Sequence, residues 1–363
     1  LELQPEGSEE ENGSVCNVLT HRVEEYFNEQ EGHMLSTAEE LGERRIIELL
    51  IEKLRKKPGM VVPFGDDVAA VPIKKDFLAI LKTDVLVGKT DVPPTMTLRQ
   101  AARKAVVMNI SDFAAKGVKP LALLTSLTIP RYYSRKDVEE IGEGLNSGAE
   151  EYDTYIIGGD TGEGVDLTIC CMVFGVARRD DLMLRSGARV GDVLAVTGCF
   201  GITSAGLKIL LLGLAAPEKT VEKLVESVHL PRARLREGLA LAQTGAVTSS
   251  IDSSDGLAIC LYELKKYSGI GFEVTDLPIA PEAVEFAEVH GLSPEELALY
   301  GGEEYELVLT TRPEGWKRAE RAVAEAGGRL IPIGKAVEGE MVTLRRGDAV
   351  EKIDLRGWEH FKR

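Results

Sequence analysis

Residues Lys82–Gly117 read "KTDVLVGKTDVPPTMTLRQAARKAVVMNISDFAAKG". The preceding residues extend the opening to "FLAILKTDVLV" (Phe77–Val87), apolar on both sides of Lys82-Thr83-Asp84, which predicts a strand. From Thr97 the pattern turns helical and runs to Gly117, a residue suited to a helix C-cap. A strand feeding a long helix places the chain in the α/β (α+β) class. Two charges disturb this pattern. Asp84 interrupts a strand that otherwise wants burial, and Asp112 falls in a helix that is apolar around it. An ionised carboxylate is costly to bury unless it is paired or binds a metal.

Similar aspartates recur elsewhere, each beside small residues: "GDD" (Asp66, Asp67), "GGDT" (Asp160) and "SSIDSSDGL" (Asp252, Asp255). Singly, each has a plain structural reading. Asp67 suits a turn, Asp255 or Ser254 suits a helix N-cap, and "GGD" is an ordinary turn. Together, with few basic residues in the same motifs, they favour a hard cation with oxygen ligands. Mg²⁺ takes one or two carboxylates per ion together with phosphate oxygens and water. "VGKT" (Val87–Thr90) ends like a P-loop, but Thr83 stands where that loop needs its first glycine. No G-x-G-x-x-G follows a strand, so a dinucleotide fold is not expected. A nucleotide site with several Mg²⁺ ions held by converging aspartates fits better.

The totals agree. The chain has 363 residues, enough for two domains, and 43 Lys+Arg against 59 Asp+Glu leave a net charge of −16. An acidic surface repels phosphate backbones, so no nucleic-acid partner is expected, and a polyphosphate ligand would need cations beside it. The apolar run near Leu194–Ala216 is broken by Gly198, Gly201, Gly206, Lys208 and Gly213, so no membrane span is expected. Five cysteines without a C-x-x-C pair read as buried reduced thiols of a cytoplasmic protein, with Cys170 and Cys171 on opposite faces of a strand. The five histidines form no metal-binding pair.

Three segments are expected. Residues 1–34 form an acidic extension read as disordered or loosely packed, and Met34 at its end offers an internal start. A helix then follows, capped by Ser36 with Glu39, its Leu41, Ile46, Leu49, Leu50 and Leu54 at helical spacing. It opens a domain over 35–186. The polar, glycine-rich "RSGARVGD" (Arg185–Asp192) marks the passage to a second domain over 187–363, with its own interleaved strands and helices.

The set "GDDVAAV", "KTDVLV", "KAVVMNISDFAAKGVKP", "IIGGDT", "LRSGARVGD", "SSIDSSDGLA", "YGGEEYEL" and "GWEHF", in this order over Phe64–Phe361, resembles the thiamine-monophosphate kinase family. That family belongs to a superfamily with aminoimidazole ribonucleotide synthetase, selenophosphate synthetase and the hydrogenase-maturation carbamoyl dehydratase. The resemblance implies an N-terminal domain that dimerises, strands of two subunits closing a β-barrel, and a C-terminal α/β domain beside it. It implies Mg²⁺ ligands at Asp67, Thr83, Asp84, Asp112, Asp160, Asp252 and Asp255. ATP contacts fall on Gly159, Asp160, Arg185 and Ser254, and Asp84, Asp112, Asp252 and Arg185 carry catalysis. Glu303 and Trp358 face the thiamine end of the acceptor, thiamine monophosphate, and Asp91 is a further acceptor contact. In this reading Asp66 caps the turn or supports Asp67. Three positions depart from the family: Asp91 stands where a histidine is usual, Lys82 where a small hydroxyl residue precedes "TD", and Glu304 where "GGEDYEL" has Asp. Lys82 and Lys89 read equally well as positive charge near the phosphates or as solvated strand-edge lysines. The rival readings are a sister ATP-dependent ligase or synthase of the same superfamily and a non-catalytic nucleotide-binding protein.

Overall fold

The computed structural model describes residues 37–55 and 57–361. The expected extension over 1–34 and the cap at Ser36 lie outside them. The described residues fall into two units, one made of 37–55, 57 and 359–361 and the other of Pro58–Trp358. In the first, helix α1 (Ala38–Lys53) opens on a capping box one residue later than the sequence reading placed it: Glu40 N donates to Thr37 Oγ1 (3.3 Å) and Thr37 N to Glu40 Oε2 (2.8 Å). Gly42 (φ 70°) kinks this helix, and Ile47, Leu50 and Leu54 stay exposed.

In the second unit, β1 (Ala69–Lys74) and β2 (Phe77–Val87) lead through a single turn, α2 (Gly88–Asp91), into the long helix α3 (Leu98–Lys116). Then come β3 (Pro120–Ile129), α4 (Arg135–Glu151), β4 (Ile156–Glu163) and β5 (Thr168–Arg178). The five strands make one sheet in the order β1-β2-β5-β3-β4, antiparallel except for the parallel β3–β4 pair. α3 and α4 pack together and bury one face of it. Leu78, Ile80 and Leu86 of β2 point into that core, as a period of two requires. On the outer face and edges Phe77, Val85, Leu124 and Ile157 remain exposed. This sheet is open within the chain; no closed barrel forms among the described residues.

The second half supplies β6 (Val193–Val196), α5 (Ile202–Leu212), α6 (Glu218–His229), α7 (Leu235–Thr244), β7 (Val247–Asp252), α8 (Leu257–Ser268), β8 (Gly271–Val274), α9 (Pro281–His290), α10 (Pro294–Tyr300), β9 (Leu307–Thr311), α11 (Trp316–Glu325), β10 (Ile331–Val337), β11 (Val342–Arg346) and β12 (Ala349–Lys352). Its seven strands run β12-β11-β8-β10-β6-β9-β7, with β8–β11 the parallel pair.

α3 joins the two halves. It packs on β2 and β5 to one side and on β7 and α7 to the other. Alanine and aliphatic residues make up much of it, and fifteen of its nineteen residues are buried, Arg103, Lys104, Asn109, Ser111, Asp112 and Lys116 among them. Thr97 and Gln100 form its capping box, and Gly117 (φ 66°) closes it as expected. Gly144 of α4 lets the two helices touch: a Cβ there would stand 2.2 Å from Arg99 O. Among the described residues, no helix is long and apolar enough to cross a membrane.

Candidate functional site

The loop before β1, the C-terminal part of α3 and the end of β7 converge. They bring Asp67, Asp112 and Asp252 together, all buried, with carboxylate oxygens within 4.8 Å of one another. Asp112 points here because α3 lies between the two sheets. Asp252 is placed by its position as the last residue of β7.

The three carboxylates differ electrically. Burial would raise Asp67, but the guanidinium of Arg185 and the ammonium of Lys116 outweigh it and hold it below its usual range. Arg185 Nε donates to Asp67 Oδ1 at 2.8 Å, its NH2 group joins the same oxygen, and Lys116 Nζ stands 2.8 Å from Oδ2. Burial raises Asp112 well above its usual value, with Asp252 and Asp84 adding to the effect against Lys82. Asp252 is pushed up to about 7, by burial first and then by Asp67, although Ser111 Oγ donates to its Oδ2 at 2.7 Å. Three buried carboxylates, two of them resisting ionisation, are a donor set suited to a hard divalent cation.

Asp66 supports this arrangement. Its Oδ1 accepts from Asp67 N (2.8 Å) and meets Lys116 Nζ (2.8 Å), and its Oδ2 accepts from Arg185 N (3.2 Å). Lys116 is fully buried and also donates to Ser250 O at 2.7 Å. Asp84 stands on β2 at the rim, on the same strand face as Lys82, whose Nζ reaches Asp84 Oδ1 (3.1 Å) and Asp112 Oδ2 (3.0 Å). Thr83 takes the other face, its hydroxyl donating to Cys171 O at 2.9 Å, so the pleat turns this side chain away from the carboxylates.

A second group of expected residues meets beside the first. The loop after β7 carries Ser254 and Asp255. Where a Ser/Asp cap was expected, the N-cap of α8 is Gly256 (φ 111°), with no side-chain cap. Both residues instead anchor neighbours through backbone carbonyls, Ser254 O accepting from Glu303 N (2.6 Å) and Asp255 O from Trp358 N (3.0 Å). Glu303 (φ 63°) and Tyr305 (φ 52°) adopt left-handed backbone, held by Ser254 O and Ser253 O. Such strain persists only where surrounding contacts fix it, and it gathers at functional sites. Lys104 Nζ, fully buried, meets Glu303 Oε1 at 2.5 Å and Asp91 O at 3.0 Å. Asp91 therefore joins this corner through its carbonyl. Its Oδ2 accepts from Val87 N (2.7 Å), which closes the α2 turn. Next door, Glu304 is buried and accepts from Gly201 N (2.7 Å) and Thr203 N (3.2 Å) at the start of α5.

Gly159 and Asp160 stand on the exposed edge strand β4, outside the buried trio. Gly159 also has a packing reason, since a Cβ would lie 1.9 Å from Thr125 O. Lys89 is exposed on α2. The sequence reading passed over Lys104, Lys116 and Ser111. Lys116 carried a usable signal, because it lies four residues after Asp112 and so shares its helix face.

A two-domain α/β protein with this carboxylate cluster defines a class. Residues 65–177 match the family described as AIR synthase related protein, N-terminal domain, and residues 189–347 match its C-terminal domain. The chain is 36% identical over 322 residues to the thiamine-monophosphate kinase of Nitrosopumilus maritimus, spanning 89% of this chain and 99% of that one. It is 35% identical over 322 residues to the thiamine-monophosphate kinase of Pyrococcus horikoshii, spanning 88% and 96%. A solved structure described as AaThiL complexed with AMPPCP and TMP superposes with a TM-score of 0.78 at 30% identity, covering 90% of this chain and 99% of that one. The chain belongs to the AIR synthase related family, in its thiamine-monophosphate kinase branch.

Proposed function

We propose that this protein is a Mg²⁺-dependent kinase that transfers the γ-phosphate of ATP to thiamine monophosphate, giving ADP and thiamine diphosphate. The observation that carries the reading is its likeness, over nearly the full length of both chains, to a protein complexed with AMPPCP and TMP. The buried carboxylates supply the matching chemistry.

The acceptor is a phosphate oxygen that is already ionised at neutral pH, so no side-chain base has to remove a proton. Alignment and charge neutralisation are then the main tasks. Asp67, Asp112 and Asp252 would hold Mg²⁺, with Asp84 at the rim; Asp160 and Asp255 belong to the proposed ligand set from family likeness. Bound Mg²⁺ would neutralise charge on the phosphoryl oxygens. Thr83 is not assigned a side-chain role. Arg185 and Lys116 keep Asp67 ionised and oriented. Ser111 fixes one oxygen of Asp252. Gly159, Asp160, Arg185 and Ser254 are the proposed ATP contacts, and Glu303, held by Lys104, faces the acceptor with Trp358.

The two domains divide at 186/187, a division supported by the two family matches over 65–177 and 189–347. A second copy covers the exposed outer face of the five-stranded sheet and completes a barrel with it. The location is cytoplasmic, with neither nucleic acid nor membrane as partner. Steady-state ADP release tests the function, with thiamine monophosphate or unphosphorylated thiamine as acceptor, before and after chelation of divalent ions. Turnover with the monophosphate alone, lost on chelation and restored by Mg²⁺, is expected. Metal-independent turnover, or no preference for the phosphorylated acceptor, would sink it.

A further inference from the structure

Lys82 is the feature that the proposed site does not explain. It lies two residues before Asp84 on β2, so the pleat puts both side chains on one face, towards α3. Its ammonium sits between two carboxylates on different elements, 3.1 Å from Asp84 Oδ1 and 3.0 Å from Asp112 Oδ2. These are ammonium–carboxylate distances. Mg²⁺ would need the same oxygens at about 2.0–2.1 Å from itself, so it cannot share that space with Nζ. The other two cations of the cluster, Arg185 and Lys116, engage Asp66 and Asp67, which leaves Lys82 alone on the Asp84–Asp112 side.

We infer that the Lys82 ammonium is a tethered cation standing in for a divalent ion between Asp84 and Asp112. Free ions are thereby confined to the side of the cluster formed by Asp67, Asp112 and Asp252. The strand carries this charge permanently, whatever the divalent concentration. Replacing Lys82 by a residue without charge opens a place for a further ion. The inference rests on the Mg²⁺–nucleotide reading of the site and goes beyond it in assigning the ion count to this residue.

The test uses Mn²⁺ as the probe, with AMPPCP, on the wild-type chain and Lys82→Ser. Bound Mn²⁺ is counted by electron paramagnetic resonance, and ions are located by anomalous scattering in crystals of each. Lys82→Ser is expected to bind one more Mn²⁺ than the wild type, positioned between Asp84 and Asp112. A Mn²⁺ peak at that place in the wild type, with Lys82 turned out, overturns the inference and leaves the metal-site reading standing. Equal counts in the two proteins also overturn it. If neither protein binds Mn²⁺ with the nucleotide analogue, the metal-site reading fails and takes this inference with it. Should Lys82→Ser not fold, the wild-type crystal decides alone.

Discussion

Asp66 and Asp67 are adjacent and both carry charge, yet their surroundings give them separate work. Asp67 faces Asp112 and Asp252, while Asp66 turns back on its neighbour's N–H and on Lys116. Asp67→Asn is therefore expected to lower kcat by about 100-fold or more, since it removes a charge from the cation site itself. Asp66→Asn leaves buried Lys116 with one anionic partner and is expected to cost about 3 kcal/mol of stability while kcat stays within a few-fold. Denaturant unfolding and steady-state kinetics on both variants separate the two, and equal loss of kcat would contradict the assignment. Asp84 and Asp112 were legible in the sequence because each breaks a local apolar pattern, and the other aspartates because they recur beside small residues. Lys104 was not, because a lysine inside a helical pattern reads as a solvated residue, and Lys116 was passed over for the same reason although its spacing from Asp112 offered a signal. Only the docking of α3 between two sheets buries their heads. Thr83 adjoins Asp84 in the motif, but adjacent strand residues face opposite ways, so its hydroxyl meets Cys171 O on the other face of β2.

At the scale of elements, the α3–α4 contact depends on missing side chains. Gly144→Ala would press a methyl against Arg99 O, whereas a Cβ at Gly142 meets nothing within 4 Å. Thermal melts should show Gly144→Ala losing about 1–3 kcal/mol and Gly142→Ala unchanged or gaining about 0.5–1 kcal/mol. The helix itself was readable from its period, but which of its three glycines touch a neighbour was not, since they look alike in one dimension. Helix α5 presents a second case. Gly201 provides no side-chain cap, and Glu304, a hundred residues away in sequence, accepts its first N–H groups. Burial, assisted by Glu306, pushes the Glu304 carboxyl from 4.5 up to about 8 in spite of those bonds. A folded-state pKa above the unfolded one gives a contribution that is complete below about 4.5 and is lost as pH rises through about 8. The wild type is expected to lose melting temperature between pH 5 and about 8.5 more steeply than Glu304→Gln. Parallel pH profiles for the two proteins would contradict this. The motif "GGEEYEL" marked the residue, but its use as a helix cap needed the fold.

At the scale of the whole molecule, α/β interleaving was legible throughout, because strand and helix periods alternate clearly along the chain. The expected barrel was not a property of one chain: the five-stranded sheet ends at β1 and β4, with Phe77, Val85, Leu124 and Ile157 exposed on its outer face and edges. A face of this kind, left apolar on an otherwise acidic protein, supports the proposed homodimer. Val85→Lys should convert the dimer to monomer in light scattering with little change in secondary structure, and a wild-type monomer would refute the assembly. Phosphoryl transfer to a phosphate acceptor can be followed by ³¹P NMR of ATP, thiamine monophosphate, Mg²⁺ and a trace of this protein. The acceptor's phosphomonoester resonance is expected to decay while diphosphate resonances of thiamine diphosphate grow one for one with ADP. ADP formed with inorganic phosphate, and an unchanged monoester resonance, would contradict it.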